Sequence, residues 1–261
     1  MIFYLGSHHP HWLADTRFKD VPMFVSRRAL GRLRTMPRAV GSWALDSGGF
    51  TELSLHGEWR TTPAEYVADV RRYRDEIGGL AWAAPQDWMC EAIMLKKTGL
   101  SVAEHQRRTT ANLLELRALA HDLPIIPVLQ GWTRGNYLDH LEAYELAGVD
   151  LRDEPLVGVG TVCRRQNTIS ASILMKTLQG EGLRLHGFGF KATGLAMCAD
   201  AMVSSDSLAW SFNARRNPPM AGHDRPGPGR PRGHINCANC AEFAIGWRED
   251  LLAKLEIRHA A

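Results

Sequence analysis

The sequence has little lysine, few cysteines and no long apolar run, and each shortage narrows what the chain can be. No stretch approaches the ~20 apolar residues that cross a bilayer, so a membrane partner is not expected. The start, MIFYLGSHHPHW, has neither a basic opening nor an extended apolar segment. No signal peptide is read there, and a cytoplasmic location follows as the default. Five cysteines make an odd count, with Cys90, Cys163 and Cys198 scattered and only Cys237-x-x-Cys240 at close spacing. That favours a metal site over a disulfide framework. Acidic residues are absent from 21–45 and nearly absent from 212–233.

What is present is a globular composition: 261 residues, 45% hydrophobic and 23% charged. Such a chain buries a full core, and its length suits one α/β barrel, which takes roughly 250 residues. The basic residues are skewed: 25 of 31 are arginine, whose planar fork binds phosphate oxygens in pairs.

Eight short apolar runs have strand character: 3–6, 23–26, 43–46, 80–84, 125–130, 156–162, 183–189 and 202–206. They are uniformly apolar, as in strands buried on both faces of a parallel sheet. Helical patterns fall between most of them. Thr62-Pro63-Ala64-Glu65 and Ser101-Val102-Ala103-Glu104 are capping boxes that open two helices. Further helices are expected over 167–179 and 194–201, and a last one carries Phe243, Trp247, Leu251 and Leu255 on one stripe. This alternation predicts an α/β fold, a (β/α)8 TIM barrel over 1–211. Residues 212–261 are expected to form a small appendage: an Arg/Pro/Gly-rich loop, a metal-binding segment and a C-terminal helix.

Barrel enzymes carry their chemistry at the C-terminal ends of strands. Those ends hold Asp46, Ser47 and Gly48, then Asp87, then Gln130 and Gly131, then Gly160, then His186 and Gly187, and finally Asp206. Three carboxylates thus converge on one mouth. A carboxylate pair flanking a glycosidic bond is the equipment for chemistry at an anomeric carbon. Each aspartate alone could instead cap a neighbouring helix. A glycoside hydrolase or a catalytically silent nucleic-acid-binding barrel also fits this much.

Asp46-Ser47-Gly48-Gly49-Phe50 resembles the DSGGF motif of tRNA-guanine transglycosylases. Gln130-Gly131, the glycine strand 157–160, and Asp206 followed by Asn213-Ala214-Arg215 fall in that family's order. The segments WAAPQDWMCE (82–91), VGVGTVCRRQ (157–166), LHGFGFK (185–191) and SSDSLAWS (204–211) are more similar to a DNA-acting branch, the DeoxyPurine-in-DNA protein A family of phages and bacteria. The resemblance spans about residues 1–250. It implies a pentosyltransferase that exchanges guanine for a 7-deazaguanine base in DNA, or, as the alternative, in tRNA. It implies Asp206 as nucleophile at C1′ and Asp46 as acid/base. Asp87 and Gln130 would bond the purine edge, and Gly160 would lie in a strand supplying backbone contacts. The reaction would take a free base as co-substrate, and helper proteins of a modification or defence system can accompany it.

That family also carries a structural zinc near its C-terminus, typically Cys-x-Cys-x-x-Cys with a later His. This chain departs from that pattern, offering His234, Cys237 and Cys240. His223 is the expected fourth ligand and His259 the alternative. For nucleic acid, Arg164, Arg165, Arg215 and Arg216 are the candidate phosphate contacts, with the acid-free stretch 21–45 as a further basic surface. Trp88, Trp132 and Trp210 lie beside the site residues, where each can stack on a base or belong to the core.

Overall fold

The computed structural model describes residues 1–163, 168–227 and 232–259. Eight parallel strands form one curled sheet: β1 (Ile2–Ser7), β2 (Met23–Ser26), β3 (Trp43–Asp46), β4 (Leu80–Ala83), β5 (Val128–Leu129), β6 (Val157–Val159), β7 (Leu185–Gly187) and β8 (Ser204–Ser207). Their order is β4-β3-β2-β1-β8-β7-β6-β5. The first strand therefore pairs with the last, in the register Tyr4 with Asp206. At the two edges, β4 and the approach to β5 meet in one parallel bridge, Ala83 with Ile125.

The expected fifth strand, 125–130, keeps ladder pairing only at Val128 and Leu129. The reason is chemical: Pro124 and Pro127 flank Ile125-Ile126, and a proline has no N–H to give to a ladder. The second and third strands have the expected limits, and the other five differ from expectation only at their ends.

Helices connect the strands: α1 (Arg27–Leu30), α2 (Gly49–His56), α3 (Pro63–Ile77), α4 (Ala92–Thr98), α5 (Val102–Leu119), α6 (Arg134–Leu146), α7 (Ile169–Gly180), α8 (Ala192–Cys198), α9 (Ala209–Ala214) and α10 (Ala241–His259). Thr62 and Glu65 make both halves of the capping box at α3. At α5 only half the box forms. Ser101 accepts from the Glu104 N–H, while the Glu104 carboxylate turns to Arg107 and Arg108.

One apolar core lies between the sheet and the helices, built around residues such as Leu5, Val25, Trp43, Tyr66, Leu113, Tyr144, Met175 and Trp210. Leu251 and Leu255 of α10 are buried in that same core, with Phe243 and Trp247 packed against it. A second cluster fills the concave side of the sheet with Tyr4, Phe24, Trp82, Ile126 and Leu156. Among the described residues no helix is long and apolar enough to cross a membrane.

Candidate active site

The C-terminal ends of the strands surround a cavity of about 310 Å3, a volume within the range of small-molecule sites. Each wall comes from a strand or from the loop just beyond it. β1 gives Gly6 and Ser7, β2 gives Phe24 and Ser26, and β3 gives Asp46 with Ser47 behind it. The loop after β4 gives Asp87, Met89 and Glu91. Gly160, Thr161 and Cys163 follow β6, Phe188 and Gly189 follow β7, and Asp206 lies on β8. All three expected carboxylates therefore face one space.

Asp206 is buried and held at one oxygen. Its Oδ1 accepts from the Gly189 N–H at 3.0 Å and pairs with His186 Nε2 at 3.3 Å. His186 is fully buried, and its Nδ1 meets Ser204 Oγ at 2.8 Å. The rings of Tyr4, Trp82 and Phe188 surround the imidazole edge-on. His186 thus stands behind the carboxylate rather than in the cavity wall. Among the described residues Oδ2 of Asp206 has no such partner, which leaves it to face a ligand.

Asp46 accepts from the Gly48 N–H at 3.2 Å and from Ser26. Burial raises its proton affinity above the usual carboxylate range, and the Asp206 charge adds to the rise. Gly48, at φ 77°, makes the left-handed turn that starts α2. A side chain there would be strained by its backbone and would meet Arg28 Cγ at 2.9 Å.

Asp87 is pushed up to about 7, chiefly by burial, with the nearby Asp46 and Glu91 charges adding to the rise. Its Oδ2 accepts from Gln130 Nε2 at 2.5 Å. Gln130 is fully buried, and its Oε1 accepts from the Thr161 hydroxyl at 2.5 Å. Its amide therefore lies behind Asp87 and does not line the cavity. Gly160 does line it, and the closeness has a reason: a Cβ at Gly160 would sit 2.2 Å from Gln130 Nε2. Gly131 and Gly187 lie outside the wall, where they let the chain pass close to Tyr137 and to Met202 and Phe190.

Sequence reasoning missed Thr161, Glu91, Cys163 and the aromatic walls Phe24 and Phe188. Among the described residues Thr161 is the one non-glycine residue at positive φ, 58°, a region that a β-branched residue seldom enters. Phe24 and Phe188 fall within the strand-like runs 23–26 and 183–189, but nothing in the sequence marks them as cavity walls. Of the three tryptophans beside the site, Trp88 and Trp210 are buried, and Trp132 is exposed.

The nucleic-acid candidates divide. Arg215 and Arg216 are exposed at the end of α9, and the Arg216 guanidinium lies 3.8 Å over the Phe212 ring. Arg164 and Arg165 lie outside the described residues. In the acid-free stretch, Arg27 is committed to Asp69 at 2.8 Å and Arg28 approaches Glu52 at 3.8 Å. Arg38 donates to the Asp75 carbonyl, whereas Arg32 and Arg34 point outward.

His223, His234, Cys237 and Cys240 come together with all four ligand atoms within 4.8 Å of one another. His223 Nδ1 lies 3.6 Å from each sulfur, and His234 Nδ1 lies 3.9 Å from Cys237 Sγ. Zn–S and Zn–N bonds in a tetrahedron give sulfur–nitrogen edges of about 3.6 Å, so the donor set fits such an ion. His223 Nε2 meets the Glu242 carboxylate at 2.9 Å, the carboxylate–histidine arrangement that orients a ligating imidazole. The side chain of His259 lies outside the described residues.

The loop that carries Cys237 and Cys240 also contacts segments next to the site. Asn239, between the two cysteines, accepts through Oδ1 from His8 and His9 Nε2 at 2.9 and 3.1 Å. The Ala238 carbonyl accepts from Ser211 Oγ at 2.9 Å. The chain after β1 and the helix after β8 are thereby tied to one loop.

A family model described as DpdA, DeoxyPurine in DNA protein A, matches residues 1–261, the whole chain. No curated protein matches it.

Proposed function

The chain belongs to the DeoxyPurine in DNA protein A family, and from that premise we propose that it is a pentosyltransferase that replaces guanine in DNA with a 7-deazaguanine base. The observation that carries the reading is the unequal pair on one cavity. Asp206 is held at a single oxygen by His186 and Gly189, while burial raises the proton affinity of Asp46 above the usual carboxylate range. A carboxylate fixed at one oxygen beside a buried carboxyl of raised proton affinity suits a nucleophile paired with an acid.

In the first step Asp206 Oδ2 attacks C1′ of the target nucleotide. The C1′–N9 bond breaks, its electron pair leaves with guanine, and Asp46 supplies the proton that the departing base takes. The sugar is then esterified to Asp206. In the second step N9 of the incoming base attacks C1′ and loses its proton to Asp46, and Asp206 leaves as a carboxylate. Two displacements give retention at C1′. Asp87 reads the base edge from a pair with Gln130, and the target must leave the stack to reach the cavity. In this reading the exposed Arg215 and Arg216 hold phosphates.

The Ala83–Ile125 bridge supports reading the curled sheet as a (β/α)8 barrel, with 212–261 as its appendage. The His223, His234, Cys237 and Cys240 set supports a structural zinc. Bound zinc would cross-link the loop that carries Asn239, and its binding free energy would become folding free energy.

The test is exchange of labelled guanine, run on duplex DNA, single-stranded DNA and bulk tRNA, with Asp206→Ala alongside and candidate helper proteins in a second arm. Label is expected to enter DNA and to be lost in the variant. Label entering tRNA alone, or exchange that survives Asp206→Ala, would overturn the proposal.

A further inference from the structure

We propose that Thr161 is the positioning residue that sets how the Asp87–Gln130 pair meets a base: it locks the Gln130 amide so that Asp87 Oδ1 alone faces the ligand. The inference rests on the function proposed above and deepens it, because it says which atom reads the base edge.

The argument is one of hydrogen-bond direction. The Cys90 N–H can only donate, and it donates to Thr161 Oγ at 2.8 Å. The threonine's single O–H proton is then directed to Gln130 Oε1 at 2.5 Å. With the Gln130 oxygen at the hydroxyl and its nitrogen at the carboxylate, both ends of the amide meet a matching partner. The Gln130 NH2 end must face Asp87, where it donates to Oδ2 at 2.5 Å. Oδ2 is thereby an acceptor in either protonation state, so the exchangeable proton of Asp87 belongs on Oδ1. Gln130 is fully buried, and Thr161 at one end and Asp87 at the other together select between its two orientations. With the amide reversed, its oxygen would face the carboxylate and repel it.

Backbone geometry supports the assignment. Thr161 holds φ at 58°, costly for a β-branched residue, and such strain persists where the surroundings over-determine it. The hydroxyl also joins the loop bearing Asp87 to the end of β6, because Cys90 lies three residues beyond Asp87. A base with adjacent N–H donors, such as guanine or its 7-deaza analogue, meets an acceptor at Oδ1 when Asp87 is ionised. Hypoxanthine, which lacks the 2-amino group, offers one donor fewer. The acids that bear on Asp87 are Asp46 and Glu91, and both remain in every variant below.

The experiment compares the full chain with Thr161→Val, which keeps the shape and removes the hydroxyl, and Thr161→Ser, which keeps the hydroxyl. Asp87 is followed by carboxyl-carbon NMR titration without ligand, and guanine and hypoxanthine binding by calorimetry. The native chain and Thr161→Ser are expected to share an Asp87 midpoint near about 7. Thr161→Val is expected to move it upward, and to reduce the preference for guanine about tenfold, the scale of a lost hydrogen bond to a buried charged group. Should the valine variant not fold, Thr161→Ala carries the same expectation. An Asp87 midpoint unchanged in a folded hydroxyl-less variant would overturn the role of Thr161. A native chain that binds neither base would instead overturn the proposed function, while the titration would still decide the role of Thr161.

Discussion

Replacing Gly160 by alanine adds one methyl group at the tightest point of the site. Its Cβ would lie 2.2 Å from Nε2, 2.6 Å from Cδ and 2.8 Å from Oε1 of Gln130. A long side chain at a surface would swing aside. Gln130 has nowhere to go: it is fully buried and bonded at both ends of its amide, to Asp87 and to Thr161. Forcing a methyl group into a packed core costs about 1–3 kcal/mol. Displacing the amide also leaves buried polar groups short of a partner, at about 1–3 kcal/mol for each. Together these give a loss of about 3–5 kcal/mol, and at about 2–4 °C per kcal/mol for a chain of this size Tm should fall by about 6–20 °C. Gly246, inside α10, is the control, because a Cβ there meets nothing within 4 Å. Gly246→Ala should gain up to about 1 kcal/mol from helix propensity. Differential scanning calorimetry of both variants is the assay. A Gly160→Ala chain melting within about 2 °C of the native one would refute the packing argument, since that gap corresponds to about 1 kcal/mol or less.

Asp87 takes up a proton on folding, since burial raises it to about 7 from an ordinary value of 3.8. Its contribution is therefore greatest below pH 4 and is lost as pH rises to about 7, so Asp87→Asn should flatten the fall in Tm across that window. An unchanged pH profile would count against the raised value. Metal analysis should find one zinc per chain, and a strong chelator should lower Tm; native protein that carries no metal and ignores the chelator would refute the Cys2His2 assignment. Arg215→Ala with Arg216→Ala should weaken DNA binding across sequences and reduce the salt slope by about 2. An unaltered slope in a salt titration would remove both residues from the phosphate path.

Much of the frame was legible because the signals were local. Met23–Ser26 and Trp43–Asp46 are compact apolar runs, and their limits in the structure match those runs. Asp46, Asp87 and Asp206 were legible as a group because strand ends share one side of such a sheet. The fifth strand was overread, since an apolar run can be recognised without weighing the two missing proline N–H groups. His223 could be placed with His234, Cys237 and Cys240 by its chemistry, although only folding shows the four donors together. Thr161 had no local mark. Its backbone angle and its bonds to Cys90 and Gln130 depend on contacts between distant loops. Gln130 looked like a ligand-facing amide, yet its depth behind Asp87 is set by how closely Gly160 allows the two strands to pass.

The pairing of β1 with β8 has a consequence for how the chain is made. Ile2 waits for Ser204, and at roughly 5–20 residues per second a ribosome takes about 10–40 s to cover that distance. Through that interval one edge of β1 has no neighbour, and such an edge is a template for unwanted strand addition. The closing elements then arrive together. Trp210 donates to the Gly6 carbonyl, Asn239 accepts from His8 and His9, and Arg248 reaches the Phe3 carbonyl. The last fifth of the chain is therefore the seal on its first ten residues, and a nascent chain released before it would present an open sheet whose carboxylates are not yet gathered.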